Sequence, residues 1–379
     1  MKKCFILLWC LSIALFPMVS LAEEEDETIA AGAGGAKAAI LIERETGTIL
    51  YEKNSAAPLP MASTTKVMTA LMVLEYGHLD EKVTCSANAF GVPGTSIYLE
   101  MGETLTLKEM LYGLMLASGN DAAVAIAEHI SGSAEAFCQQ MTRRAKELGC
   151  ENTRFATPHG LPHEDHYTTA RDLAQIARAA MEYPLFREIV STQRATIPWQ
   201  GRSYDRVLQN KNKLLSTYQG ATGIKTGYTK AAGRCLVFGA EREGMEVIGV
   251  VLGCPDWFNE AARIMDHGFA NYEFLTLFNA GESLRTLAVA ESETPQVNAV
   301  LTEDLFAVLP KEGWPQIEID LPDSLSPGIE AGQPLGEVRL TYEGQVIARQ
   351  SLTADRDAPA RSFRTWFNKC AANWFAAGQ

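Results

Sequence analysis

Basic residues are scarce in this chain. Its 379 residues hold 33 Lys and Arg against 46 Asp and Glu, a formal net charge of −13. Such a balance offers no attraction to a polyanion and excludes nucleic acid as a partner. Cysteine occurs eight times, but in no spacing that matches a disulfide framework or a zinc site, although Cys138 and Cys150 are near enough to pair. Six histidines are present, and His159, His163 and His166 fall close together. Pro158, Gly160 and Pro162 break any helix that would align those three rings, and no cysteine is near. A zinc peptidase is therefore set aside, and neither metal nor cofactor is expected. His163 and His166 are read as lying in a solvated loop.

Two ends stand apart from the body. Lys2 and Lys3 precede an apolar run from Cys4 to Val19, too short to favour a membrane span, and Ser20-Leu21-Ala22 offers a small-x-small cleavage site. Residues 1–22 read as a secretory signal peptide and 23–35 as an acidic, Gly-rich leader. Removing the signal takes two lysines and no acid, leaving 31 basic against 46 acidic residues and six cysteines. At the other end Phe363, Trp366, Phe367, Cys370, Trp374 and Phe375 recur at helical spacing, with Arg361, Arg364 and Lys369 among the polar positions. That stripe suits a helix lying in a membrane interface and is too charged to span one.

Between the ends, Ala38–Arg44 and Thr48–Lys53 read as strands around Glu45-Thr46-Gly47, and Gly233–Ala240 and Glu246–Leu252 as strands around Arg242-Glu243-Gly244. Helical periodicity fills the interval, clearest over 64–76, 107–117, 121–130, 134–148 and 171–182, and again from Trp257 to Phe278. Strands at both ends with helices inserted predict one α/β domain over 36–280. Short alternating runs between Pro, Gly and acidic residues predict a small all-β domain over 281–354, followed by a linker and the tail, 355–379.

Three strings carry chemistry. Ser63-Thr-Thr-Lys66 places a hydroxyl and an amine about one helical turn apart at a helix start, after Pro58 and Pro60. A serine attacks only when a neighbour takes its proton, and a lysine does so only with a depressed pKa, for which burial and a second cation such as Lys225 would serve. This is the only S-x-x-K in the chain. Ser118-Gly119-Asn120 lies in a turn between two helical patterns, where Ser118 could relay a proton and Asn120 bind a substrate amide. The same spacing at Ser86-Ala87-Asn88 reads as helix capping. Lys225-Thr226-Gly227 precedes an apolar strand. Its edge could pair with an extended peptide, Lys225 and Thr226 could hold a terminal carboxylate, and the backbone N–H groups of Ser63 and Tyr228 could form an oxyanion hole.

These strings, with Pro60-Met-Ala before Ser63, Pro158-His-Gly-Leu161, and Tyr228-Thr229 followed by Ala232-Gly233, resemble the low-molecular-mass penicillin-binding proteins. Within that group they are most similar to the serine-type D-alanyl-D-alanine carboxypeptidases. The resemblance covers about residues 36–280 closely. It implies the penicillin-recognising transpeptidase/β-lactamase-like fold, an antiparallel sheet with helices and an inserted helical region. It implies peptidoglycan stems ending in D-Ala-D-Ala as substrate, Ser63 as the acylated nucleophile, Lys66 as proton acceptor, Ser118 as a third catalytic group and Lys225 as carboxylate site. It also implies trapping by penicillins and His159 helping to line the cleft. The signal peptide and the amphipathic tail together predict an enzyme held at the outer face of the cytoplasmic membrane, beside the cell wall. Two other functions fit the strings: a serine β-lactamase, and a wall-binding scaffold with a silent site.

Overall fold

The structure, a computed structural model, describes residues 35–362 and Phe367. The expected signal peptide, most of the leader and the tail helix lie outside these residues.

An antiparallel five-stranded sheet organises the larger body. Its strands are β1 (Ala38–Glu43), β2 (Ile49–Lys53), β3 (Ala221–Thr229), β4 (Gly233–Arg242) and β5 (Met245–Leu252), in the order β2-β1-β5-β4-β3. Strands far apart in sequence meet because β1 pairs with β5, Ala38 opposite Leu252 and Glu43 opposite Val247. Every residue of β1 and of β5 is buried. Alternation along β1 explains this: Ala38, Ile40 and Ile42 face one apolar cluster, Ala39 and Leu41 another. The first cluster holds helices α1 (Lys66–Tyr76), α2 (Leu107–Met115), α3 (Asn120–Ser131), α4 (Ala134–Glu147), α5 (Ala170–Met181) and α6 (Pro184–Ser191). The second is closed by α7 (Trp257–Asn271) through Ala261, Ile264 and Met265.

Local signals set the boundaries. Glu43 closes the first hairpin, its carboxylate accepting from Glu45 N–H at 2.8 Å and Thr46 N–H at 2.7 Å. Thr106 caps α2 by accepting from Glu109 N–H, whose side chain returns to Thr106 N–H. The strand β3 ends the sheet, so one of its edges has no strand beside it.

The helical pattern expected through Phe278 stops at Asn271. Tyr272–Phe278 is instead a strand, β6, antiparallel to Leu305–Pro310. Aromatic and β-branched residues in Tyr-Glu-Phe-Leu-Thr-Leu-Phe suit a pleated surface better than another two turns of helix. Beyond it residues 279–360 form strands and turns only, with a six-stranded sheet enclosing its own core of Leu287, Leu301, Val338, Leu340 and Leu352. Cys85, Cys138, Cys150, Cys235 and Cys254 are buried and free, so Cys138 and Cys150 do not pair. Each fills apolar space, and burial raises the thiol pKa of Cys138 to about 12.

Candidate active site

The turn that carries Ser63 is built from three sides. Pro58 and Pro60 lack an N–H, leaving Leu59 to exchange both backbone bonds with Thr168, at 2.8 and 3.0 Å. A 3₁₀ turn over Ala62–Thr65 then leads into α1. Thr64 Oγ1 donates to Met61 O, and Thr65 Oγ1 to Ala62 O at 2.8 Å. Having spent its proton, Thr65 Oγ1 accepts from His166 Nε2 at 2.7 Å, while His166 Nδ1 accepts from Ala156 N–H. His166 is thus a buried neutral brace beneath the turn, not part of a solvated loop. Burial and the neighbouring His163 and Lys66 lower its pKa to about 4. Between Met61 and Val73, Ser63 alone is not buried.

Two glycines let other segments reach this turn. A Cβ at Gly160 would stand 1.8 Å from Ala62 O, and Gly160 has φ +90°. A Cβ at Gly227 would stand 2.8 Å from Ser63 N and 2.9 Å from Thr64 N. Gly227 therefore lets β3 lie directly against the serine turn. The close neighbour at Gly227 is the protein's own backbone.

Lys66 is fully buried and surrounded by acceptors. Its amine donates to Asn120 Oδ1 at 2.7 Å and to His159 O at 2.8 Å, and lies 3.2 Å from Ser63 Oγ. The Asn120 amide is fixed in this orientation, since its Nδ2 donates to Pro93 O. Both ends of that side chain are therefore engaged, and Asn120 stands as the holder of Lys66. A neutral amine has two hydrogens and one lone pair. The two carbonyl oxygens can only accept, so they take the hydrogens and leave the lone pair to the Ser63 hydroxyl. Burial first, then the charges of Lys225 and Lys211, lower the Lys66 pKa well below its ordinary value.

Ser118, two residues before Asn120, is buried with φ +64°, and among the described residues its Oγ makes no hydrogen bond. Ser86 and Asn88, the alternative of equal spacing, are tied to Glu128 instead. Lys225 is 1% exposed, and among the described residues its amine donates to one acceptor, Thr226 O at 3.0 Å. A buried ammonium with spare donors suits an anion. Burial and Lys211 bring its pKa down to about 7. Thr226 is buried and Tyr228 is 63% exposed at the strand end. His159 Nδ1 accepts from Leu161 N–H, and burial with Lys66 nearby lowers its pKa to about 3.

The structure thus brings Ser63, Lys66, Asn120 and His159 into direct or shared contact, sets Gly227 of β3 against the serine turn, and leaves Ser118 Oγ unpartnered. Sequence reasoning missed Lys211 and the Thr65–His166 brace. Lys211 follows no motif, since a lysine beside asparagines reads as surface. His166 sits seven residues beyond His159, and only the fold turns its ring towards Thr65.

The sheet, the helical layer and the serine–lysine pair place the chain among serine acyl-transfer enzymes of the penicillin-recognising fold. Within that class it belongs to the D-alanyl-D-alanine carboxypeptidase family, whose model matches residues 24–256, while a model of the penicillin-binding protein 5 C-terminal domain matches 272–360. The D-alanyl-D-alanine carboxypeptidase DacF of Bacillus subtilis is 35% identical over 371 residues, 95% of each chain. The structure of penicillin-binding protein 5 from Haemophilus influenzae superposes with a TM-score of 0.74 at 29% identity, covering 86% of this chain and 97% of that one. The Streptomyces K15 DD-transpeptidase superposes with a TM-score of 0.59 at 37% identity, covering 62% of this chain and 97% of that one.

Proposed function

We propose that this protein is a serine D,D-carboxypeptidase that removes the terminal D-alanine from peptidoglycan stem peptides. The observation that carries this reading is the buried Lys66 amine, whose two carbonyl acceptors leave its lone pair for Ser63. Ser63 Oγ attacks the carbonyl of the penultimate D-alanine as Lys66 takes its proton. The oxyanion forms beside the backbone N–H of Ser63 and the end of β3, where the N–H of Tyr228 is the second donor. The C–N bond then breaks, and a proton passed through Ser118 leaves with the D-alanine amine. Water, deprotonated by the same lysine, releases the shortened peptide and restores Ser63. Lys225 offers its charge, and Thr226 its hydroxyl, to the terminal carboxylate. Asn120 and His159 hold Lys66. A β-lactam carries a carboxylate and a strained amide in the same relation, so it acylates Ser63 as well. The chemistry asks for neither metal nor cofactor.

Export is part of the proposal. Residues 1–22 would direct the chain across the membrane, and the amphipathic tail would hold it at the outer face, beside the wall. Among the described residues no helix is long and apolar enough to cross a membrane.

The test pairs D-alanine release from a pentapeptide with mass spectrometry after penicillin treatment. Expected are catalytic release, a long-lived adduct on Ser63, and loss of both in Ser63→Ala. Rapid turnover of the drug would favour a β-lactamase. A protein that releases no D-alanine and takes no label would be a binding module.

A further inference from the structure

The loop beside Ser118 and Asn120 holds an aromatic side chain in a backbone conformation that its own chemistry disfavours. Tyr98 has φ +59°, the left-handed region, and is 72% exposed. Its backbone is fastened on every side. Asp121 accepts from Ser96 Oγ at 2.6 Å, from Ile97 N–H at 3.1 Å and from Leu99 N–H at 3.0 Å, and Tyr98 N–H itself donates to Ser96 Oγ. From beyond, Arg206 donates to Tyr98 O at 3.3 Å. That guanidinium is buried, paired with Glu103 at 2.9 Å and stacked 4.6 Å over Trp199. Asparagine or glycine would make this turn with less strain, so the ring is not there for the fold. The phenol also makes no protein hydrogen bond among the described residues.

The same loop forms the Ser118–Asn120 wall. Thr95 O accepts from Asn120 N–H at 2.7 Å, and Thr95 Oγ1 donates to Ser118 O. Tyr98 lies three residues on, at most about 10 Å along the chain, whereas an extended five-residue stem spans about 17 Å. With its terminal carboxylate drawn to Lys225, a stem has length to spare past this wall. On these grounds, and resting on the function proposed above, we infer that Tyr98 is a specificity-determining residue whose ring stacks on the sugar-bearing, amino-terminal half of the stem. A short peptide ending in D-Ala-D-Ala does not reach it.

The experiment compares kcat/KM for two substrates, a diacylated tripeptide ending in D-Ala-D-Ala and a pentapeptide stem carrying its disaccharide. Tyr98→Asn removes the ring and tolerates the backbone angle. It should lower kcat/KM about fivefold on the long substrate and leave the short one unchanged, with Tyr98→Phe restoring the difference. Tyr98→Gly serves as a second ringless variant should the first fold poorly. Equal losses on both substrates, or none on either, would overturn the inference. A wild-type protein inactive on both substrates would bring down the proposed function, and this inference with it. Activity on both with no ring effect removes the inference alone.

Discussion

Lys66 accepts a proton only while neutral, and three features keep it so: burial, Lys225 and Lys211. The third is the most accessible to change, because the Lys211 side chain is exposed, unlike the buried Lys66 and Lys225. Replacing it with Gln removes a positive charge that both buried amines feel. Their pKa values should rise, a smaller fraction of Lys66 should be neutral at a given pH, and the acid limb of acylation should move to higher pH. Rates of acylation by a fluorescent penicillin between pH 5 and 9 measure this; a superposable profile for Lys211→Gln would remove it from the electrostatics. His166 makes a separate prediction. Its folded pKa of about 4 lies below the ordinary 6.5, so the unfolded chain binds protons first as pH falls. Stability is full above pH 6.5 and is lost on the way down to about pH 4, by about 3 kcal/mol for this group. Thermal melts across that window should show the loss, and His166→Gln should shrink it by this group's share while the part due to His159, whose pKa is lowered to about 3, remains. At this scale the sequence displayed the residues that react, since their chemistry demands fixed types at fixed spacing. It hid those that tune, which need only a charge or a ring delivered by the fold.

At the level of elements, the site is a joint between the end of the 3₁₀ turn and the edge strand β3. Gly227 is the contact point, and its neighbours on the other side are backbone nitrogens that have no rotamer in which to yield. Gly227→Ala should therefore push strand and turn apart by a few tenths of an ångström or more. We expect acylation to fall by at least about tenfold, since such displacements act on reacting geometry. The global cost should be only about 1–3 kcal/mol. Stopped-flow acylation beside urea melts separates the two, and a variant with unchanged acylation would show that the joint is tolerant. Elements announced by turn residues were legible, as at Glu243–Gly244, where φ is +50° and +81°. Tyr272–Phe278 was not. Its aromatic and leucine positions satisfy both periods, and the backbone pairing with Leu305–Pro310 that decides for a strand lies thirty residues away.

For the whole molecule the question is whether the β part serves the chemistry or only carries it. The two bodies have separate cores, yet Val308 reaches into the cluster closed by α7. Every residue assigned a role in acyl transfer lies before Pro255, and the Streptomyces K15 structure, matched over 97% of its length, covers just 62% of this chain. A body of that extent therefore folds on its own in a relative. A cut after Asn271 removes β6 together with its partner Leu305–Pro310, so neither strand is left with an open edge. The fragment 35–271 should fold and be acylated by penicillin at a rate within about threefold of the full chain, because no group in the site changes its surroundings. Its melting temperature should fall by about 2–4 °C as the apolar surface under Val308 and Phe274 meets water. A folded fragment, judged by circular dichroism, that takes no label would make the β-domain part of the machinery and would require a coupling path across α7.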